Sequence, residues 1–340
     1  MKAGEDRSEL LFSEVADRAE WTSQLEATAM GSLYNSWSWG DYKATQGWQV
    51  VRLLGRDDGG KAKAACQLQI KRVGPCRVLL LQGGLRCAGL RDEQLAAAFE
   101  ALVHDKLQVS PFDIVLVNYH DHSDPVCIRG LLRAGLRPHV NGRMYSFFFD
   151  CDAPPATLEG RLSSNWRHNL KRALKNAELK VCWCETDSER GAALDAFQRM
   201  YASLTQRKAF AQAVDVAAMK DIIVADRNFH IASAEAAGAA VAIRIGYRSG
   251  DCIVDFLAAS NELAIKNYAN YLLVWSMIVK ASEAGLRGFE CGGIDPYGNS
   301  GVYNFKKGLG ATLTMNGPLW IYAKSRLLGT LALLALAWST

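Results

Sequence analysis

The chain has 340 residues, of which 49% are hydrophobic and 22% charged, and it carries a net charge of +4 at pH 7. That size suits one large domain or two of roughly 150 residues, with a core that needs no disulfides to hold it. A protein that coats a long nucleic acid is usually more basic, so contact with one RNA end or with a phosphorylated small molecule is the larger opening. The nine cysteines are scattered, odd in number and never spaced as CxxC, which fits free thiols in a reducing compartment. The first ten residues, MKAGEDRSEL, hold no apolar run of the kind a secretory signal needs.

Residues 31–55 read as a helix rich in Trp37, Trp39 and Tyr42, followed by a strand that starts near Trp48. DDGGK at 57–61 is a hairpin turn, with a return strand after it and a further strand, RVLLLQGG. A helix is expected over 91–108, a buried strand over 112–119, a short helix ending at Gly135 and an aromatic strand over 144–150. DCDAPPATLEG at 150–160 reads as a linker.

The second half repeats this order. A helix over 195–209 leads to three strands over 229–260, then to one long apolar helix ended by Gly285, then to the strand LRGFECGG. The shared order, more than the short match between RAGLR and EAGLR, argues for two related halves. The expected organisation is a first subdomain over 1–150, a second over 151–316, and a return segment over 317–340 that packs on the first.

Several stretches carry candidate chemistry. In the helix at 161–180, Arg167, Lys171 and Lys175 recur every four residues as a basic stripe, opposite Trp166, Leu170 and Ala173. The stripe is either a solvated face or a ridge for phosphates. GVYNFKKGLG at 301–310 sets Lys306 and Lys307 between an aromatic group and glycines. These lysines either form a solvated turn or stabilise negative charge. Asp255 sits in the apolar strand CIVDFLAA, where a carboxylate is costly unless it pairs, for example with Arg244, or orients an amine. Asp295, after the strand GFEC, serves as a base or as a turn cap. NYHDH at 118–122 lacks a third ligand cluster, so a loop without metal is expected. The apolar stretch 327–339 is too short to cross a bilayer alone. It can dock on the protein, meet a partner or lie on a membrane surface, its basic flank of Lys324 and Arg326 toward the headgroups.

The blocks SNWRHNLKRALKNAELKV, QRKAF, NYANYLLVW, AGLRGFECGGID and GVYNFKKGLGA follow one another in an order that resembles the Fem (FemABX-like) aminoacyltransferases, over about residues 30–322. That resemblance implies an α/β fold of two tandem GNAT-like subdomains, each a mixed, mainly antiparallel sheet flanked by helices. It implies transfer of an amino acid from aminoacyl-tRNA to an amine on a peptidoglycan-precursor-like peptide, with no cofactor and no metal. It also implies a monomer in the cytoplasm, to which the apolar stretch adds contact at the inner membrane face. Two departures stand out: Gly83-Gly84 where the family often has Gly-Pro, and Asp255 or Phe256 where it often has tyrosine.

By the same resemblance, Lys306 stabilises the tetrahedral state and Phe305 lines the channel, with Asp255 as the third catalytic candidate. Lys43 and Arg207 hold the phosphates of a nucleotide- or lipid-linked acceptor. Lys307, Arg167, Lys171 and Lys175 receive the tRNA end. The rival within this fold is a CoA-dependent N-acetyltransferase, which cradles pyrophosphate in a Q/R-x-x-G-x-G/A loop. R-x-x-G begins at Arg52, Arg56, Arg86 and Arg326, but the next small residue is missing each time: Asp57, Lys61, Arg91 and Leu331 stand there. A non-catalytic binder of tRNA or precursor is the reading outside enzymes.

Overall fold

The computed structural model describes residues 10–119, 125–140, 145–208 and 215–338. The chain divides into two units, Met1–Met144 with Met315–Thr340, and Tyr145–Thr314.

The first unit opens with β1 (Leu11–Glu14), α1 (Arg18–Ala27) and α2 (Trp37–Thr45). Ser36 caps α2 through its hydroxyl, which accepts from the Trp39 amide at 3.0 Å. β2 (Gln49–Arg56) and β3 (Ala62–Val73) form the expected hairpin, and β4 (Cys76–Gln82) and the short β5 (Arg86–Cys87) follow. α3 (Asp92–Glu100) stops earlier than its sequence pattern suggests and continues to Lys106 as a wider, π-helical turn. β6 (Ile114–Asn118), α4 (Pro125–Arg133) and β7 (Arg137–His139) complete this part. The order across the sheet is β1-β2-β3-β4-β6, and β4–β6 is a parallel pair in an otherwise antiparallel sheet. Its apolar face packs Leu79, Leu81, Val115 and Val117 against Leu95, Phe99 and Leu102.

The second unit begins with β8 (Tyr145–Asp150). Grouped by the linker that follows it, this strand is expected in the first half. Its ladder partner lies in the second sheet, so the unit boundary falls before it. α5 (Pro155–Arg161), α6 (Ser164–Lys175), β9 (Lys180–Trp183), α7 (Asp187–Lys208) and α8 (Val216–Ala225) lead to the antiparallel run β10 (Phe229–Ala236), β11 (Ala239–Ser249) and β12 (Cys252–Ser260). The expected single long helix is two. α9 (Glu262–Lys266) and α10 (Ala269–Glu283) are separated at Tyr268, which adopts φ +59°. Arg172 donates to the Tyr268 hydroxyl at 2.5 Å and Asn176 to the Asn267 side chain at 3.0 Å, and these contacts fix the break. β13 (Gly288–Gly293), α11 (Ser300–Lys307) and β14 (Thr312–Met315) follow, giving the order β14-β8-β13-β12-β11-β10-β9. Here β12–β13 is a parallel pair.

The chain returns to the first unit through β15 (Leu319–Tyr322), which inserts between β6 and β7, and ends in α12 (Arg326–Trp338). Each sheet is therefore mixed and mainly antiparallel, with helices packed against it. Among the described residues no helix is long and apolar enough to cross a membrane.

Candidate functional site

The second unit concentrates charge where its parallel pair ends. Along β11–β12 the register slips: Ile245 faces Leu257, and Gly246 faces Asp255. Phe256 is the extra residue of a β-bulge, a device that re-aims side chains and ends pairing. The β12–β13 ladder runs Cys252–Gly288, Ile253–Phe289 and Val254–Glu290, and among the described residues it stops one position before Asp255. β13 continues into Cys291, Gly292 and Gly293. Gly292 has φ +69°, and a Cβ there would lie 2.8 Å from the Asp255 carbonyl oxygen, so the backbone approach requires glycine.

The lysines do not sit in a turn. They close α11, whose N-terminus is capped by Asn299. The glycines after them set the exit: Gly310 has φ +71°, and a Cβ there would overlap the Arg161 carbonyl. The Gly308 carbonyl accepts from the Ser163 amide at 3.1 Å, just before α6. This anchorage brings Lys306 back to β13, where Nζ donates to the Gly293 carbonyl at 2.9 Å. Burial pushes the Lys306 ammonium below its ordinary value of 10.5, and the neighbouring Asp255 carboxylate pulls it partly back. Lys307 is exposed, its Nζ 5.8 Å from the Tyr303 ring centroid.

Asp255 pairs with Arg244, Nη1 to Oδ2 at 2.5 Å, with side chains 10% and 7% exposed. The other carboxylate oxygen, Oδ1, is buried and has no protein partner among the described residues. Glu290 and Cys291 lie in the same electrostatic neighbourhood, and burial raises the Cys291 thiol so that it stays neutral. Phe305 belongs to an aromatic wall rather than standing free. Its ring centroid is 4.9 Å from Tyr271 and 5.8 Å from Trp166. Asp295 caps its own turn, accepting from the Tyr297 and Gly298 amides at 3.1 and 2.8 Å.

The basic stripe is smaller than its spacing suggests. Arg167 donates to the carbonyls of Glu159, Gly160 and Leu162 at 3.1, 2.9 and 2.8 Å, which satisfies the end of α5. Lys171 lies 3.5 Å from Glu159, and Lys175 is exposed in the last turn of α6. Lys43, in the first unit, lies against its own helix's aromatics, 5.1 Å from the Trp39 centroid and 5.7 Å from Tyr42. Burial lowers its pKa. The backbone of Arg207 falls in the last turn of α7, and its side chain lies outside the described residues, as do His120, Asp121 and His122. Among the described residues no group of three His, Cys, Asp or Glu side chains could hold a metal ion.

Thus Lys306 and Asp255 belong to one locality, with Arg244 and Glu290 beside them, while Phe305, next in the helix, faces Tyr271 and Trp166. Arg244 was legible as a lone charge in an apolar strand, VAIRIGY, and Glu290 likewise in GFECGG. The part played by Tyr271 gave no signal beyond helical spacing.

Comparison with known proteins bears on the fold. Residues 163–307 match the family model described as an acetyltransferase (GNAT) domain. The crystal structure of FemX superposes with a TM-score of 0.80 over 95% of this chain and 100% of that one, at 14% identity. The C-terminal domain of a putative lysylphosphatidylglycerol synthetase from Agrobacterium fabrum gives 0.61 over 94% and 95%, at 16% identity. A tandem GNAT protein from the clavulanic acid biosynthesis pathway gives 0.50 over 92% and 98%, at 13% identity. No curated protein sequence matches the chain. Two mixed sheets that each include a parallel pair, a GNAT-domain match in the second half and solved structures that superpose over 92–95% of the chain, one of them a tandem GNAT protein, establish the tandem GNAT-like α/β fold that the resemblance implied.

Proposed function

We propose that the chain is an acyltransferase that moves an amino acid from aminoacyl-tRNA to an amine of a peptide acceptor, of the nucleotide- or lipid-linked peptidoglycan-precursor kind. The observation that carries this reading is Lys306. It is a half-buried ammonium fixed on the Gly293 carbonyl where the β12–β13 ladder stops, beside a buried Arg244–Asp255 pair. An ammonium has three donors and this one spends one on Gly293. Two remain for a carbonyl oxygen that turns negative.

In the reaction the acceptor amine attacks the ester carbonyl carbon, a C–N bond forms, and the oxyanion develops facing Lys306. Collapse breaks the C–O bond to the tRNA ribose, and the proton lost by nitrogen ends on the ribose oxygen. One aimed donor is worth about 3–4 kcal/mol of barrier. The ester is already activated, so positioning can supply much of the remainder, about 7–11 kcal/mol. The second carboxylate oxygen of Asp255 is suited to accept a hydrogen bond from the attacking amine. Lys307, Lys171 and Lys175 supply charge for the tRNA end, and Arg167 contributes through the fold of α5 and α6. Lys43 and Arg207 are assigned to acceptor phosphates.

A CoA-dependent acetyltransferase is the second reading, favoured by the description of the matching family model. Against it stands the segment between β12 and α10, NELAIKNY, which has no glycine with which to cradle a pyrophosphate. Incubating the purified chain with a pool of radiolabelled aminoacyl-tRNAs and amine acceptors decides between them. RNase-sensitive transfer of an amino acid is expected. Label moving from acetyl-CoA instead, or no transfer from any charged tRNA, overturns the proposal.

A further inference from the structure

From Leu327 onward α12 is apolar except for Thr330, RLLGTLALLALAW, yet only part of it is covered. Leu328, Gly329, Ala332 and Leu333 turn toward the first unit, in which α12 packs on β15 and β6. The opposite stripe, one turn apart each time, is open: Leu327 is 72% exposed, Leu331 52% and Leu334 53%. Apolar surface this extensive belongs against a core or lipid, and this helix has a core on one side only.

The charge around it is one-sided. After Asp295 the chain has no Asp or Glu, while Lys306, Lys307, Lys324 and Arg326 all follow it. Lys324 and Arg326 are exposed at the start of the helix. Arg137 of β7 lies alongside, with Nη1 3.4 Å from the Thr330 hydroxyl. Three cations thus border the leucine stripe at its first turns, and no acidic residue of the helix or of its approach opposes them. A water-soluble protein partner would be met equally well by a mixed rim. A cationic rim beside a leucine stripe complements a surface that is anionic outside and apolar beneath.

We infer that α12 is an interfacial anchor that seats the first unit on an anionic lipid bilayer, the leucines 327, 331 and 334 entering the acyl boundary and Lys324, Arg326 and Arg137 meeting lipid phosphates. The helix lies in the plane of the surface. This docking does not depend on the transferase reading.

The test is co-sedimentation of the full chain with vesicles of phosphatidylcholine alone and of phosphatidylcholine mixed with phosphatidylglycerol. Binding to the mixed vesicles is expected, falling as salt rises. Leu327→Glu with Leu331→Glu should lower the bound fraction at least about tenfold, because the apolar burial is lost. Both residues are exposed, so the circular dichroism and melting of this variant should match the parent. Lys324→Ala with Arg326→Ala should abolish the preference for the anionic vesicles. The inference is overturned if neither vesicle binds the chain or if the double glutamate variant binds as well as the parent. It is equally overturned if the chain forms a dimer that the glutamates dissolve while vesicle binding is absent, which would put a second copy on the stripe.

Discussion

Each unit contains one parallel strand pair, and the two pairs end differently. In the first unit β4–β6 stays zipped for five positions, from Val78–Ile114 to Gln82–Asn118. The Gly83 amide then adds a bond to the Asn118 carbonyl at 2.7 Å. Just beyond, the Tyr119 ring fills the space over Gly84, and its hydroxyl donates to the Leu85 carbonyl at 2.8 Å and accepts from the Leu85 amide at 3.1 Å. Backbone bonds and a buried tyrosine close that end. In the second unit the β12–β13 ladder stops after three positions, a bulge turns Asp255, and Gly292 and Gly293 meet a lysine instead of a plug. The same architecture has one end built for packing and one end supplied with charge. Chemistry is to be sought where the ladder is interrupted.

The largest effect expected from breaking this contrast is on stability in the second unit. Asp255→Asn leaves the Arg244 charge buried without its counter-charge, which should cost about 3–5 kcal/mol, read as a lower denaturation midpoint. Replacing both residues together by apolar ones should restore most of that loss without restoring transfer. Next are the two glycines. Gly84→Ala forces a methyl group into the Tyr119 ring at φ +76°, for about 2–4 kcal/mol of stability. Because it acts on the closed end, it should leave transfer per folded molecule unchanged. Gly292→Ala, at φ +69° and 2.8 Å from the Asp255 carbonyl, should also destabilise, but with loss of transfer per folded molecule. Equal activity in the two variants would erase the distinction between the ends.

The smallest effect is a shift in pH dependence. Burial holds Lys306 below 10.5, so in the interval between its lowered pKa and 10.5 the unfolded chain binds more protons than the folded one. Stability therefore rises with pH across that interval. On the proposed mechanism the cation that faces the oxyanion is lost across the same interval, so the alkaline limb of the rate should fall below the pH of an ordinary lysine. In Lys306→Arg the limb should move upward, because guanidinium stays protonated. A limb that stays where it is in the arginine variant would remove Lys306 as its source.

Much of the fold was legible because hairpins, glycine-bounded strands and amphipathic helices are local signals. DDGGK does join β2 and β3, as its turn signal implies. What was not legible depends on partners far along the chain. Nothing local in YSFFFD says that it pairs with β13, and nothing in AIKNYANYLL says that Tyr268 turns left-handed under contacts from α6. The site divides in the same way. Asp255 and Arg244 announce themselves as lone charges in apolar strands, and their pairing follows from the cost of burying either alone. The four-residue spacing of Arg167, Lys171 and Lys175 reports a shared helix face but not what packs on it, and Arg167 turned out to be committed to three carbonyls. For Lys306 the resemblance singled out the residue, while its reach back to the Gly293 carbonyl depends on how α11 ends against α6.

The measurement that tests the central claim most directly is single-turnover transfer from charged tRNA by Lys306→Ala beside the parent chain, with thermal melting recorded on both. A fall of about 10²–10³-fold at an essentially unchanged melting temperature is the predicted result, since one aimed donor is removed and no core is disturbed. A variant that transfers within a few-fold of the parent, with the same RNase sensitivity, would contradict the claim that the interrupted end of the second unit's parallel pair is where the chemistry occurs.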